Sequence, residues 1–129
     1  MASWFGKKEE ESKSSFAWQE LESSQSLDEI IERSEVLPQI LFKHSTRCII
    51  SRSVLKNFEA DWKGAVQVDL NFLDLLSHRE VSSAIADRTG IHHESPQLII
   101  LHKKRAVWDR SHHNITASDV EAFLKGLST

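Results

Sequence analysis

Apolar residues at helical and strand spacings alternate along most of this chain and predict an α/β protein. A first helical pattern starts at Ser26, which fits a capping box with Glu29, and stops before Pro38. The short apolar run from Gln39 to His44 that follows predicts a buried strand. The apolar face of this first helix is formed by Leu27, Ile30, Ile31 and Leu37.

A second helix and a parallel strand are predicted after Cys48. The helix carries its apolar residues on one face, and Gly64 is placed to end it. The alternation from Ala65 to Leu70 predicts a strand, and the helix before it is long enough for this strand to run parallel to Gln39–His44. The apolar face of the helix consists of Val54, Leu55, Phe58 and Trp62.

The last third of the chain predicts a third helix, a hairpin and a closing helix. The third helix runs from His78 to Thr89, and Gly90 is placed for a left-handed stop. Two short strands, Gln97 to His102 and Ala106 to Arg110, are joined by a short link and predict an antiparallel pair. Thr116 then caps the closing helix.

The length of 129 residues corresponds to one ordinary domain. Gly6 to Ser15 is charged, rich in serine and free of periodic apolar residues. We therefore predict a flexible tail over residues 1–15 and a single domain over residues 16–129. The residues expected to dock on the core at the start of that domain are Phe16, Trp18 and Leu21.

Composition and charge argue against several classes of protein. With 40% hydrophobic and 27% charged residues, the chain is expected to fold. No apolar run approaches the roughly 18 residues of a membrane span, and the first segment lacks the apolar middle of a secretory signal. We therefore expect a cytoplasmic protein with no membrane partner. A net charge of −3 provides no general basic field for nucleic acid, so none is expected as a partner.

Two groups of residues could suggest nucleic-acid or metal binding, but we interpret both as structural. Lys103, Lys104 and Arg105 lie near Trp108, but a basic hairpin tip is more often solvated than bound to nucleic acid. The paired histidines have no cysteine or paired carboxylates at ligand spacing, so no metal site is expected. These pairs are His92-His93 and His112-His113.

Cys48 is the only cysteine and stands between the strand Gln39–His44 and the second helix. It has no partner for a disulfide within the chain. The unpaired N–H groups and the dipole of a helix start stabilise an anion, and the adjacent Arg47 adds positive charge, so this position favours the thiolate. The alternative is an inert, buried cysteine that packs as a small hydrophobe.

Ser51 and Pro96 are further candidates, and each has a structural alternative. Ser51 follows Cys48 by three residues but lacks the thiol that would resolve a mixed disulfide. The alternative for Ser51 is a plain helix residue whose hydroxyl bonds the backbone. Pro96 follows Ser95 at the entry to a strand. In the structural interpretation it is a trans proline that only marks the edge of the strand, because most X-Pro bonds are trans.

Three segments resemble the monothiol bacilliredoxin-like family of bacillithiol system proteins. They are FKHSTRCIIS over residues 42–51, the Ser95-Pro96 step before QLIILH, and AVWDRSHHNIT over residues 106–116. The resemblance extends from Phe16 to Leu127. It implies a thioredoxin-like α/β fold, with a central mixed sheet of four to five strands flanked by helices on both faces. The family usually has Thr-Arg-Cys-Pro-Ile-Ser, and Ile49 replaces that proline here.

The resemblance also implies roles for individual residues. Cys48 would be the attacking cysteine, and Ser51 would occupy the place of the missing resolving thiol. Pro96 would be a cis-proline that faces the cysteine, and the backbone of Ser95 would pair with the bound thiol.

Bacillithiol carries carboxylates, which the cations near Cys48 would attract. Arg47 is the expected partner, through charge-assisted hydrogen bonds. Lys43 falls inside a strand and is interpreted as a solvated surface cation instead.

The activity implied by the resemblance is thiol–disulfide exchange. Cys48 would take bacillithiol, or a similar low-molecular-weight thiol, from S-thiolated client proteins through a mixed disulfide. The small thiol is then a co-substrate, and no bound cofactor is expected. The alternatives are a redox-inactive interaction module that keeps the fold for binding, and a passive thiol sensor in which Cys48 is capped under oxidative stress.

Overall fold

The computed structural model describes residues 16–127, in which strands and helices alternate. The strands are β1 (Gln19–Glu20), β2 (Gln39–His44), β3 (Asp69–Asp74), β4 (Gln97–His102) and β5 (Arg105–Ser111). The helices are α1 (Ser24–Arg33), α2 (Ile49–Asp61), α3 (Arg79–Thr89), the short 3₁₀ helix His112–Asn114, and α4 (Ala117–Leu127). The order of elements is the predicted one, and β1 and the 3₁₀ helix are additions to it.

The strands form one mixed sheet in the order β1-β3-β2-β4-β5. β1 and β2 run parallel to β3, whereas β4 runs antiparallel to β2 and to β5. The helix α2 therefore connects two parallel neighbours, and the link between β4 and β5 closes an antiparallel hairpin. Helices cover both faces of this five-stranded sheet, which confirms the predicted fold class.

Side chains alternate across β2, which lies at the centre of the sheet. Ile40 and Phe42 belong to the cluster formed with α2 and α4, and Leu41 belongs to the cluster formed with α1 and α3. Both faces of β2 are buried. This explains the consecutive apolar run Ile40–Phe42 and the burial of the polar residues beside it, since a strand covered on both sides has no solvent face.

The prediction of a strand from Ala65 to Leu70 was wrong by four residues, because β3 starts at Asp69. The backbone N–H of Asp69 donates to the carbonyl of Pro38 at 3.1 Å, which aligns the start of β3 with the start of β2. The residues before Asp69 are needed to bring the chain back from the end of α2. Their valines still pack against the core, which explains the alternation in the sequence.

The helix caps agree with the sequence prediction in part. Helix α1 starts earlier than predicted, because the hydroxyl of Ser23, and not that of Ser26, is the cap and accepts the N–H of Ser26 at 3.0 Å. Gly90 ends α3 with a left-handed φ of 72°, as predicted. The hydroxyl of Thr116 accepts the N–H of Asp119 at 3.2 Å and caps α4.

The first described residues pack against the core as predicted. Leu21 is buried, and Phe16 and Trp18 pack against the cluster of α2 and α4. The indole N–H of Trp18 donates to Glu59 on α2 at 2.7 Å. The predicted tail, residues 1–15, lies outside the described residues.

The basic hairpin tip is attached to the end of α1. The backbone N–H groups of Lys103 and Lys104 donate to the carbonyl and the hydroxyl of Ser34. The ammonium of Lys104 lies 3.3 Å from Glu32, and that of Lys103 lies 3.9 Å from Glu35. Lys103 and Lys104 therefore have carboxylate partners in the last turn of α1 and just after it. Within residues 16–127, no helix is long and apolar enough to cross a membrane.

A buried carboxylate on α4 holds the loop that follows α2. One oxygen of Glu121 accepts the backbone N–H groups of Lys63, Gly64 and Ala65 at 3.1, 2.7 and 3.4 Å. Gly64 adopts a left-handed φ of 70°, and this turn directs the neighbouring N–H groups towards one acceptor. The loop therefore depends on a single side chain from a distant part of the chain.

We expect the substitution Glu121→Ala to lower the free energy of unfolding by about 2 kcal/mol, because it removes the carboxylate that three backbone N–H groups share. Urea denaturation followed by tryptophan fluorescence measures this change. The control is Glu29→Ala on α1, whose side chain is exposed; its effect is expected to stay within about 0.5 kcal/mol. Equal effects of the two substitutions would contradict the assigned role of Glu121.

Candidate active site

Cys48 lies at the junction of β2 and α2, where it is the N-cap residue of α2. It is half-buried, with an extended backbone that has a φ of −100° and a ψ of 121°. Its carbonyl accepts the first helical N–H, from Arg52, at 3.1 Å. The side chain at an N-cap lies next to the unpaired N–H groups of the first turn, which stabilise negative charge. The structure therefore places the sulfur at a helix start, and not deep in the apolar core.

The loop that carries the cysteine, Ser45 to Cys48, is closed by two hydrogen bonds. The backbone N–H of Cys48 donates to the carbonyl of Ser45 at 3.2 Å. The backbone N–H of Ser45 in turn donates to the hydroxyl of Ser51 at 3.1 Å. Ser51 is fully buried in the first turn of α2, so its hydroxyl connects the helix to the buried side of the cysteine loop.

The same hydroxyl of Ser51 pairs with His44, a residue that sequence reasoning did not select. Nδ1 of His44 lies 2.7 Å from Oγ of Ser51, and the imidazole is buried. The histidine ring also packs on Phe72 of β3, with the ring centroids 5.4 Å apart. The available signal was a histidine at the last position of a strand whose centre, Ile40 to Phe42, is apolar. The hydroxyl of Ser51 thus bonds the backbone, as in the structural interpretation. The bonded group is the N–H of Ser45 in the cysteine loop, however, and not a group of its own helix.

Two arginines flank Cys48 and differ in their contacts. Arg52 donates from its guanidinium to the carbonyl of Thr46 at 3.1 Å and so fastens the cysteine loop. Arg47 is exposed and forms no hydrogen bond or ion pair within residues 16–127. Arg47 is therefore the cation beside Cys48 whose guanidinium is available to a ligand.

The interpretation of Lys43 as a solvated surface cation was wrong. Lys43 is fully buried, because it lies in the central strand and its side chain enters the layer between the sheet and α3. Its ammonium donates to the side-chain carbonyl of Gln97 at 2.9 Å. Burial lowers the pKa of Lys43 from 10.5 to about 8, an effect that the nearby carboxylate of Glu94 partly opposes.

Ser95 and Pro96 lie at the same edge of the sheet as Cys48. They precede β4, and β4 runs antiparallel to β2 with Gln97 opposite Lys43, so the start of β4 lies beside the end of β2. The Ser95-Pro96 peptide bond is cis, as the family resemblance implied. The backbone of Ser95 forms no hydrogen bond within the described residues, whereas its hydroxyl is buried.

The fold therefore brings four of the predicted site residues to one edge of the sheet. Cys48 and Ser51 arrive there on the first turn of α2, and Ser95 and Pro96 arrive on the loop before β4. Arg47 adjoins them on the solvent side. Their roles in binding remain predictions.

The histidines near this edge serve local contacts. Nδ1 of His93 lies 3.4 Å from the hydroxyl of Ser82, and burial, together with the charge of Lys43, lowers the pKa of His93. Nε2 of His112 lies 3.4 Å from the carboxylate of Glu94. Over the part of the chain that the structure describes, no three His, Cys, Asp or Glu side chains are grouped to hold a metal ion.

The buried ammonium of Lys43 predicts a specific pH dependence of stability. Because its pKa is near 8 in the folded protein and 10.5 in the unfolded chain, the unfolded state binds more protons between these values. The stability of the wild type should therefore rise with pH in this window relative to Lys43→Met, by about 3 kcal/mol in total. Urea denaturation of both proteins from pH 7 to 11 measures the difference. Lys125→Met, at an exposed position, serves as the control. A difference between the wild type and Lys43→Met that stays constant from pH 7 to 11 would contradict the prediction.

Known structures with the same architecture contain the thioredoxin fold. A protein described as a proposed oxidoreductase with a thioredoxin fold is 27% identical, with a TM-score of 0.69, and the alignment covers 81% of this chain and 91% of that one. Thioredoxin from Trypanosoma brucei brucei is 13% identical, with a TM-score of 0.67 and coverage of 87% and 91%. Thioredoxin from Malassezia sympodialis is 15% identical, with a TM-score of 0.66 and coverage of 88% and 92%. The fold is therefore that of thioredoxin.

The profile of one protein family, described as monothiol bacilliredoxin BrxC, matches residues 19–120. This range includes every strand, the cysteine loop and the cis-proline step. The match covers most of the chain and agrees with a fold that has a single cysteine at the β2–α2 junction. The chain belongs to the monothiol bacilliredoxin family.

Proposed function

We propose that this protein removes bacillithiol, or a similar low-molecular-weight thiol, from S-thiolated proteins through a mixed disulfide on Cys48. A general thiol–disulfide redox function follows from the family and the fold. One observation supports this proposal: the only cysteine is half-buried at the start of α2, at the same edge of the sheet as a cis-proline step. Within residues 16–127, the backbone of Ser95 in that step forms no hydrogen bond.

The exchange proceeds in two steps that conserve disulfide bonds. The thiolate of Cys48 attacks the sulfur of the small thiol in the client's mixed disulfide. The bond between client and small thiol breaks, a bond between Cys48 and the small thiol forms, and the client cysteine leaves with the electron pair and takes a proton from water. A second thiol then attacks the small-thiol sulfur and releases Cys48 as a thiolate, so that this second thiol ends in the disulfide.

The second thiol must come from another molecule. The sequence contains one cysteine, and the position three residues after it holds Ser51, whose buried hydroxyl is engaged by Ser45 and His44. The mixed disulfide on Cys48 therefore waits for an outside thiol, either the free small thiol or a partner reductase. This requirement supports a cytoplasmic setting, where thiols are kept reduced.

Two further residues are assigned to the small thiol. The unpaired backbone of Ser95 offers hydrogen bonds to its amide-like portion. The free guanidinium of Arg47 offers charge-assisted hydrogen bonds to its carboxylates. The small thiol is a co-substrate in this proposal, and the other partners are the S-thiolated clients.

Turnover distinguishes this proposal from a redox-inactive module and from a passive sensor. We expect the wild type to release many equivalents of reduced client from a bacillithiol-modified protein when free thiol is supplied. Intact mass after exposure to oxidised bacillithiol should show one added small thiol, and Cys48→Ser should show neither the adduct nor release. A single stoichiometric release would indicate a sensor, and no adduct on the wild type would indicate an interaction module.

We expect Arg47→Gln to slow exchange with a carboxylate-bearing disulfide about fivefold, because a charge-assisted hydrogen bond is lost. The same substitution should leave exchange with an uncharged small disulfide unchanged. Stopped-flow kinetics with both disulfides measure the ratio. Arg105→Gln, at an exposed position on β5, serves as the matched control. A loss that is equal for both disulfides would show that Arg47 does not contact the carboxylates.

A further inference from the structure

An exposed stripe of side chains extends along α2 away from Cys48. It consists of Ile49, Arg52 and Lys56, and we call it the α2 stripe. Residues three, four and seven apart lie on the same face of a helix, so these side chains follow one another along α2. All of them are exposed, and Ile49 exposes 74% of its surface. The stripe therefore starts with an apolar group beside the nucleophile and continues with two cations.

The exposure of Ile49 is unusual for its surroundings. Ile50, the next residue, is also 41% exposed, so two consecutive large apolar side chains adjoin Cys48. The remaining large apolar side chains with high exposure within residues 16–127 are Val36, in the turn after α1, and Val107, on β5. Exposing two consecutive isoleucines to water costs free energy, and adjacent exposed apolar side chains often mark an interaction site.

The charge along the stripe is of one sign. No Asp or Glu occurs between Glu35 and Glu59 in the sequence, although the whole chain has a net charge of −3. Glu59, the first carboxylate on α2, is engaged by the indole of Trp18. The ammonium of Lys56 forms no hydrogen bond or ion pair within the described residues. The stripe is therefore complementary to an acidic partner.

We propose that the α2 stripe is a docking surface for client polypeptides that carry an apolar residue next to the thiolated cysteine and an acidic residue beyond it. This inference rests on the proposed function, in which such a client presents its mixed disulfide to Cys48. Ile49 and Lys56 are seven residues apart, a distance of about 10 Å along the helix axis. An extended chain covers that distance in about three residues. The acidic residue of the client is therefore placed three residues beyond the apolar one.

Four synthetic peptides test this docking. Each carries one cysteine in a mixed disulfide with the same small thiol. The first has leucine next to the cysteine and a glutamate on each side of the third position beyond the leucine. The second replaces leucine by serine, the third replaces the glutamates by glutamines, and the fourth combines both changes. A neutral small disulfide without a peptide reports the chemistry of Cys48 alone.

The variants are Ile49→Ser and Lys56→Glu, each with a matched control. Val36→Ser removes an equally apolar side chain that is 89% exposed and precedes the start of β2, at the opposite end of that strand from Cys48. Lys125→Glu reverses an exposed charge in the last turn of α4. The measured quantity is kcat/KM for peptide release, at low salt and at high salt.

We expect the wild type to prefer the first peptide about tenfold over the second and about tenfold over the third. Ile49→Ser should lose about tenfold on peptides with leucine and nothing on those with serine. Lys56→Glu should lose about tenfold on peptides with glutamate at low salt, and high salt should reduce this loss. Both control variants should remain within twofold of the wild type, and every variant should consume the neutral disulfide at the wild-type rate.

The outcomes separate the docking surface from the exchange reaction. Exchange without any preference among the peptides would overturn the docking surface and leave the proposed function intact. An equal loss on all substrates, the neutral disulfide included, would also overturn it, since Ile49 would then act through the cysteine loop. Titration of the Cys48→Ser variant with the reduced peptides measures docking separately from the exchange reaction. The same order of affinities there would support the stripe even if no exchange occurred, and equal affinities would overturn it.

Discussion

The buried hydroxyl of Ser51 connects the sheet, the first turn of α2 and the cysteine loop. It accepts the N–H of Ser45 and pairs with the imidazole of His44, the last residue of the central strand. These hydrogen bonds lie in a buried site, where a broken bond leaves a polar group without water. The position of Cys48 relative to the sheet therefore depends on this serine, three residues further along the chain. The hydroxyl of Ser51 therefore anchors the cysteine loop and supplies no second thiol.

A second set of polar contacts supports the opposite side of the site. The ammonium of Lys43 donates to the side chain of Gln97, and the amide of Gln97 donates to the carbonyl of His92 at 3.0 Å. These contacts tie the end of β2 to the loop that precedes Pro96. Lys43 contributes them at the cost of a buried charge, which is why its pKa is lowered. The cysteine loop and the cis-proline loop are thus both attached to the end of one central strand, each by buried side chains.

The surface around Cys48 differs in character from this polar interior. Ile49 replaces the proline of the family pattern and is largely exposed, and Arg47 is free, while Arg52 fastens the loop. The interior contacts set the geometry that any monothiol exchange needs. Ile49 and Arg47 lie on the solvent side of the cysteine loop, and the guanidinium of Arg47 forms no hydrogen bond or ion pair within residues 16–127. In the proposed function, recognition and geometry are therefore assigned to different residues, although these residues are neighbours in the sequence.

The sequence alone determined the elements that local periodicity controls. The bounds of β2, the stop at Gly90, the cap at Thr116 and the place of Cys48 before α2 follow from spacing and cap chemistry, which act over a few residues. Tertiary structure decided the start of β3, because the backbone bond from Asp69 to Pro38 sets its register. It also decided the burial of Lys43 and the partner of Ser51. Those depend on which strand is central and which residues meet across the sheet, and pairing between distant segments leaves no mark in the local pattern.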